Sequence, residues 1–146
     1  VLEQGQTGWN WFALQLNDGT DLMLYEFRRG DDKRDSHSSG SLVGEAGGRT
    51  RLGVGDFTLE AGAQWKSARS GASYPTNWQI LIPTHGLDLC VQAVMPDQEL
   101  APRQSGVVYW EGAVVVQGTR RGQSVQGRGY LEMTGYAGSL TTRMLQ

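Results

Sequence analysis

Three glutamates lie among aromatic and aliphatic residues: Glu26 in DLMLYEFR, Glu111 in VVYWEGAVVV and Glu132 in GYLEMTGY. A carboxylic acid kept neutral by burial is a proton donor, and aromatic faces beside it tolerate a developing cation. Each glutamate also has a plainer reading. Glu26 is read first as a solvated strand residue paired with Arg28 or a neighbouring cation, because carboxylates are seldom buried. Glu111 and Glu132 are read first as fold-fixing partners of Arg128 or Arg103, since structural pairs also perturb carboxylates. The same holds for Gln98 and Glu99, in a DQEL segment that would tuck its side chains under the fold.

Other chemistries find no support. His37 falls in a charged stretch and His85 in a turn, and the single cysteine, Cys90, completes no ligand spacing, so no metal is expected. Gly-x-Ser-x-Gly, phosphate-loop and dinucleotide patterns are absent, which argues against a serine-triad hydrolase and against a cofactor. Trp9, Trp11, Trp65, Trp78 and Trp110 are the size of ring that fills a barrel or lines an apolar ligand site, with core filling the default.

These residues must be positioned by strands. WNWFALQL (Trp9 to Leu16) and DLMLYEFR (Asp21 to Arg28) alternate and are joined by Asn17-Asp18-Gly19-Thr20, a hairpin turning on Asp-Gly. On the second strand Glu26 shares a face with Leu22 and Leu24, while Tyr25 lies opposite with Met23 and Phe27. Residues 29–40, charged and small, predict an exposed loop and a poor place for chemistry. Shorter strands are expected at Ser41 to Val43, Arg51 to Val54 and Phe57 to Leu59, with a lead-in at Tyr74-Pro75. A second hairpin joins Trp78–Pro83 to Leu87–Met95 through Thr84-His85-Gly86. A third joins Val107–Gln117 to Arg128–Tyr136 through a turn region at 118–127. In that hairpin Trp110 shares a face with Val108, Val114 and Val116. Glu111 lies opposite, and Tyr130, Glu132, Thr134 and Tyr136 form a polar-aromatic face.

No window carries a helical period, so the 146 residues predict one all-β domain, an antiparallel up-and-down barrel whose closure removes exposed edges. The 21 glycines and 4 prolines are spread between apolar runs and read as turns and bulges. Thirteen basic and 15 acidic residues, without a local basic block, give no footprint for nucleic acid. No apolar run approaches the roughly 20 residues of a spanning helix, which predicts a soluble, unanchored domain.

GWNWFALQLNDGTDLMLYEFR, QWKSARSGASYPTNWQILIP, DQEL, YWEGAVVVQG and GYLEMTGY occur in that order. With these motifs, from about Gly8 to Tyr136, the chain resembles the second lipocalin-like domain of the carotenoid hydratase (CrtC) and AttH family, whose members are often labelled secreted hydrolases. The resemblance implies a calycin-type barrel, one half of a two-barrel protein. It also implies a periplasmic or secreted setting, and for the AttH group an association with an ABC transporter. A strand bearing Asp-His-Glu or Asp-His-Asn opens the family's second barrel. It has no counterpart ahead of Val1 to Thr7, which predicts a barrel lacking its first strand.

Three roles follow. The first is a module that binds or helps enclose an apolar isoprenoid or lipid-like molecule, with Trp9, Trp11, Trp78, Trp110, Glu111, Tyr130 and Glu132 as candidate ligand contacts. The second is a cofactor-independent hydratase or cyclase of polyenes, in which the family's Tyr and Asp have Tyr25 and Glu26 as nearest counterparts. The third is a non-catalytic half packed on a companion barrel; homo-oligomerisation is left open. The volume and polarity of the interior discriminate among them.

Overall fold

The computed structural model describes residues 5–31, 33–100 and 108–137. Its strands are β1 (Gln6–Leu16), β2 (Asp21–Arg29), β3 (Ser39–Val43), β4 (Arg49–Leu52), β5 (Thr58–Ala61), β6 (Gln64–Lys66), β7 (Ser73–Pro75), β8 (Asn77–Ile82), β9 (Leu87–Ala93), β10 (Tyr109–Arg120) and β11 (Gln123–Thr134). A 3-10 turn at Pro83–His85 links β8 to β9, closed by Gly86 in a left-handed conformation.

Nine strands form one antiparallel sheet in the order β4-β3-β2-β1-β11-β10-β9-β8-β5, and β6 pairs with β7 in a separate hairpin. The sheet curls into a lipocalin-like up-and-down barrel. Its two edges, β4 and β5, are consecutive in the chain, so the seam lies there. β1 is paired on both sides, with β2 and β11.

Alternation along the strands decides what faces inward. In β1 every second residue from Gln6 to Leu16 is buried, as a pleated strand with one covered face requires. The inner-face side chains meet in one cluster, and Phe12, Leu24, Ile80, Leu89, Leu131 and Met133 are each 0% exposed. That exposure leaves no water-sized void against them, so this part of the barrel is packed with its own side chains.

Several expectations are corrected. The third hairpin turns only at Arg121-Gly122, and both its strands run through the region read as a turn. Gly127 and Gly129 make this possible: their missing side chains let the backbone carbonyls of Gln15 and Ala13 approach closely. The 29–40 stretch is not simply an exposed loop. Asp35 and Ser38 are buried, with the Asp35 carboxylate accepting from the His37 backbone N–H at 2.8 Å. That bond, outweighing burial, holds the Asp35 carboxyl below the usual range. Arg103 and Val107 lie outside the described residues.

Candidate functional site

At the end of the barrel where β1 starts and β2 and β11 finish, the packed core gives way to a cleft of about 340 Å³. Its floor is Trp78, which meets Phe12 edge to face with ring centroids 5.4 Å apart and donates its indole N–H to the Pro75 carbonyl at 3.1 Å. Leu59, Ala61 and Pro75 make an apolar wall, and Asn10, Glu26, Arg28, Arg34 and Tyr136 make a polar one.

The polar wall is a connected network. Glu26 and Asn10 are direct cross-strand partners, and Asn10 Nδ2 donates to Glu26 Oε1 at 3.1 Å. Arg34 Nε donates to the other oxygen, Oε2, at 2.9 Å. Tyr136 donates its hydroxyl to Asn10 Oδ1 at 2.7 Å, and the Arg28 guanidinium lies over the Tyr136 ring, 4.0 Å from its centroid. Burial pushes the Tyr136 phenol up to about 12, so it remains a donor near neutrality. Arg28 also donates to the Thr134 carbonyl.

Arg34 has a second task. Its Nη1 donates to the Val54 carbonyl at 2.9 Å and the Phe57 carbonyl at 2.6 Å, with the guanidinium over the Phe57 ring. Val54 and Phe57 lie in the link between β4 and β5, so one arginine ties the seam of the sheet to the carboxylate in the cleft.

A second network holds the β6–β7 hairpin, which supplies Gln64 and Pro75 to the cleft. Glu99, with a side chain 2% exposed, accepts from the hydroxyls of Ser67, Ser70 and Tyr74, each at 2.6 Å. Burial works against its charge, but these three donors and Arg69 outweigh it and hold its carboxyl below the usual range. The Tyr74 ring in turn packs against Tyr136 at 5.4 Å. The neighbouring Gln98 is bonded through its side-chain amide to Ala113 N at 2.9 Å and to the Ala113 and Met95 carbonyls. The DQEL segment therefore fastens loops to strands, as its plainer reading had it.

The sequence-derived candidates separate onto two faces. Glu26, Trp78 and Trp110 are inside, Trp110 fully buried with its indole N–H on the Pro96 carbonyl at 2.8 Å. Tyr25, Trp9, Trp11, Glu111, Tyr130 and Glu132 are outside. Tyr25 thus cannot share a compartment with Glu26, because adjacent strand residues point to opposite faces. Outside, Trp9 packs on Tyr109 at 6.2 Å, Trp11 on Tyr25 at 6.0 Å, and Tyr25 stacks on Phe27 at 6.2 Å. Glu111 and Glu132 are direct partners across β10 and β11, and Glu132 accepts from the Trp9 indole at 2.8 Å. Part burial and these two carboxylates raise the Tyr130 phenol.

Sequence reasoning missed Asn10, Arg28, Arg34 and Tyr136 as site residues. Asn10 had a usable signal: an amide on the apolar face of β1, between positions that bury Gly8 and Phe12. Tyr136 had none from alternation, because Gly135, at φ 82°, turns the chain and swings Tyr136 off the outer face.

The AttH-like family model matches residues 1–136. The chain belongs to the AttH-like family. Among solved structures, this AttH-like chain is similar to the crystal structure of an AttH candidate from Nitrosomonas europaea, with 35% sequence identity and a TM-score of 0.81. The likeness covers 93% of this chain and 41% of that one, so the AttH-like chain spans less than half of that protein's length. A search of curated proteins finds no match.

Proposed function

We propose that this AttH-like chain is a binding half-barrel that holds a small, largely apolar molecule, isoprenoid or lipid-like, at its open end rather than in its core. The observation that carries the reading is the change at Trp78: below it the inner face is packed, above it the 340 Å³ cleft has one apolar and one polar wall. That volume falls at the lower end of the range for small-molecule sites, about 300–1,000 Å³.

The outer face supports the companion-barrel part of the reading. Met23, Tyr25, Val115 and Tyr130 are 37–44% exposed on the same sheet face as the Trp9 and Trp11 rings, and contiguous apolar surface of this kind marks an interaction site. The companion would be a second barrel, in the same chain or another, in keeping with the 41% share of the longer relative.

The hydratase reading keeps one supporting observation, that Glu26, Tyr136 and Trp78 line a single cleft. Against it, both Glu26 oxygens accept hydrogen bonds, so the carboxylate is engaged as an acceptor and not presented as a donor. Tyr25 is on the wrong face to assist.

Native mass spectrometry against a panel of isoprenoids, fatty alcohols and fatty acids tests the binding reading, with Leu59→Trp filling the apolar side of the cleft. One ligand held per chain by the wild type and lost in the folded variant supports it. Ligand retained by the variant, or no adduct with any member of the panel, refutes it.

A further inference from the structure

Two guanidinium donors just behind the polar wall of the cleft have no hydrogen-bond partner among the described residues. Arg28 Nε and Arg34 Nη2 are both sealed from bulk solvent and make no hydrogen bond within the protein. Buried guanidinium N–H groups are normally satisfied, and these belong to the two arginines lining the same cleft.

The charges do not balance either. Of the cleft's lining residues, Arg28 and Arg34 are cationic and Glu26 alone is anionic. Arg34 takes one Glu26 oxygen and Asn10 the other. Among the described residues Arg28 has no carboxylate within ion-pair distance; its contacts are the Thr134 carbonyl and the Tyr136 ring. A ring face attracts a cation but is at most a weak acceptor for its N–H groups. Among the described lining residues the cationic groups therefore exceed the anionic by one, two guanidinium donors behind the wall are unmet, and Leu59, Pro75 and Trp78 supply apolar surface.

Resting on the cleft as the binding site, we infer that its ligand is an amphipathic monoanion, a carboxylate on an apolar tail, with the carboxylate on Arg28 and Arg34 and the tail against Trp78 and Leu59. Guanidinium groups pair with carboxylates through parallel N–H donors. One net charge matches a carboxylate better than a doubly charged phosphate ester. The tail requirement follows from Leu59, Ala61, Pro75 and Trp78, beside which Gln64 is the one polar side chain among the lining residues outside the polar wall.

The test is a titration of the ¹⁵N-labelled chain with octanoate, octanol and acetate, following the arginine Nε–H resonances and the Trp78 indole resonance. Octanoate should shift the Arg28 Nε–H and Trp78 signals together and saturably, with octanol and acetate at least tenfold weaker. Arg28→Gln should weaken octanoate by at least tenfold. Arg28→Lys, which keeps the charge if the glutamine variant fails to fold, should weaken it less than Arg28→Gln, or measurably relative to wild type where that variant is lost. Equal binding of octanol and octanoate would overturn the anion inference while leaving the cleft as a binding site. Octanoate binding that leaves the Arg28 signal unmoved would place the anion elsewhere. No shift at Trp78 with any probe would overturn both the inference and the binding reading beneath it.

Discussion

Replacing Glu99 with glutamine keeps the size of the side chain and removes its charge, which isolates what the carboxylate contributes. It accepts three hydroxyl donors at 2.6 Å. A hydrogen bond to a charged group is worth about 1.5–3 kcal/mol against about 0.5–1.5 for a neutral one, so three such exchanges cost about 3–4 kcal/mol. The neutral amide is cheaper to bury, which offsets part of this and leaves a net loss of about 2 kcal/mol. For a domain of this size that is a fall in Tm of about 6 °C. The pH dependence has a definite sign. The Glu99 carboxyl is held below the ordinary 4.5, so the unfolded chain takes up the proton first and the stabilisation is complete above that value. It is lost as pH falls through the depressed folded value. Urea denaturation of wild type and Glu99→Gln from near pH 7 down to about pH 3 should show a gap that narrows on the acid side. Taking the difference between the two proteins cancels Asp18 and Asp35, whose carboxyls are also held low, whereas Asp97 shares Arg69 with Glu99 and stays coupled to it. A gap under about 0.5 kcal/mol near neutrality, or one unchanged at the acid end, would refute the account of Glu99 as a charged anchor.

Gly135→Ala should destabilise by about 1–3 kcal/mol in thermal denaturation, because the position has φ 82° and an added Cβ would overlap the Thr7 carbonyl and the Gly8 backbone. Phe12→Ala should cost about 3–5 kcal/mol by chemical denaturation, a loss typical of a packed core and larger than a pre-existing cavity wall would show. The double change Trp11→Ser with Tyr25→Ser should lower stability by no more than about 1 kcal/mol while weakening association with a separately expressed companion barrel; retention of full association in a pull-down would exclude this face as the interface.

Much of the architecture was legible from alternation. Leu22, Leu24 and Glu26 fall on one face and Met23, Tyr25 and Phe27 on the other by period alone, and Asp18-Gly19 marks the first hairpin without help from the rest of the chain. The site was legible only in part, because its polar wall is assembled from distant segments. Arg34 sits in a stretch too polar to read as ordered. What gives it a role is the tertiary approach of Glu26, Val54 and Phe57, which no local window contains. Arg28 looked like a strand-end cation and a candidate partner for Glu26, yet it bonds to Thr134 and covers Tyr136 instead. The short β6–β7 hairpin was missed for a related reason. Its strands are held by Glu99 from outside and by the stacking of Trp65 on Tyr74 at 6.2 Å, not by a hydrophobic run of their own.

The pairing of β1 with β11 sets a schedule for the molecule's birth. Trp9 reaches Glu132 across 123 residues of sequence, and at about 5–20 residues per second a ribosome needs roughly 6–25 s to make that span. Throughout that interval β1 waits with one edge unpaired, apolar side chains on its inner face and tryptophans on its outer face, a template for any passing strand. The later hairpins can form as they emerge, but the sheet cannot curl shut until the last strand arrives. Such distant pairing makes closure intrinsically slow. A nascent chain of this design exposes one edge of β1 for that whole interval, long after its own hairpin with β2 can have formed.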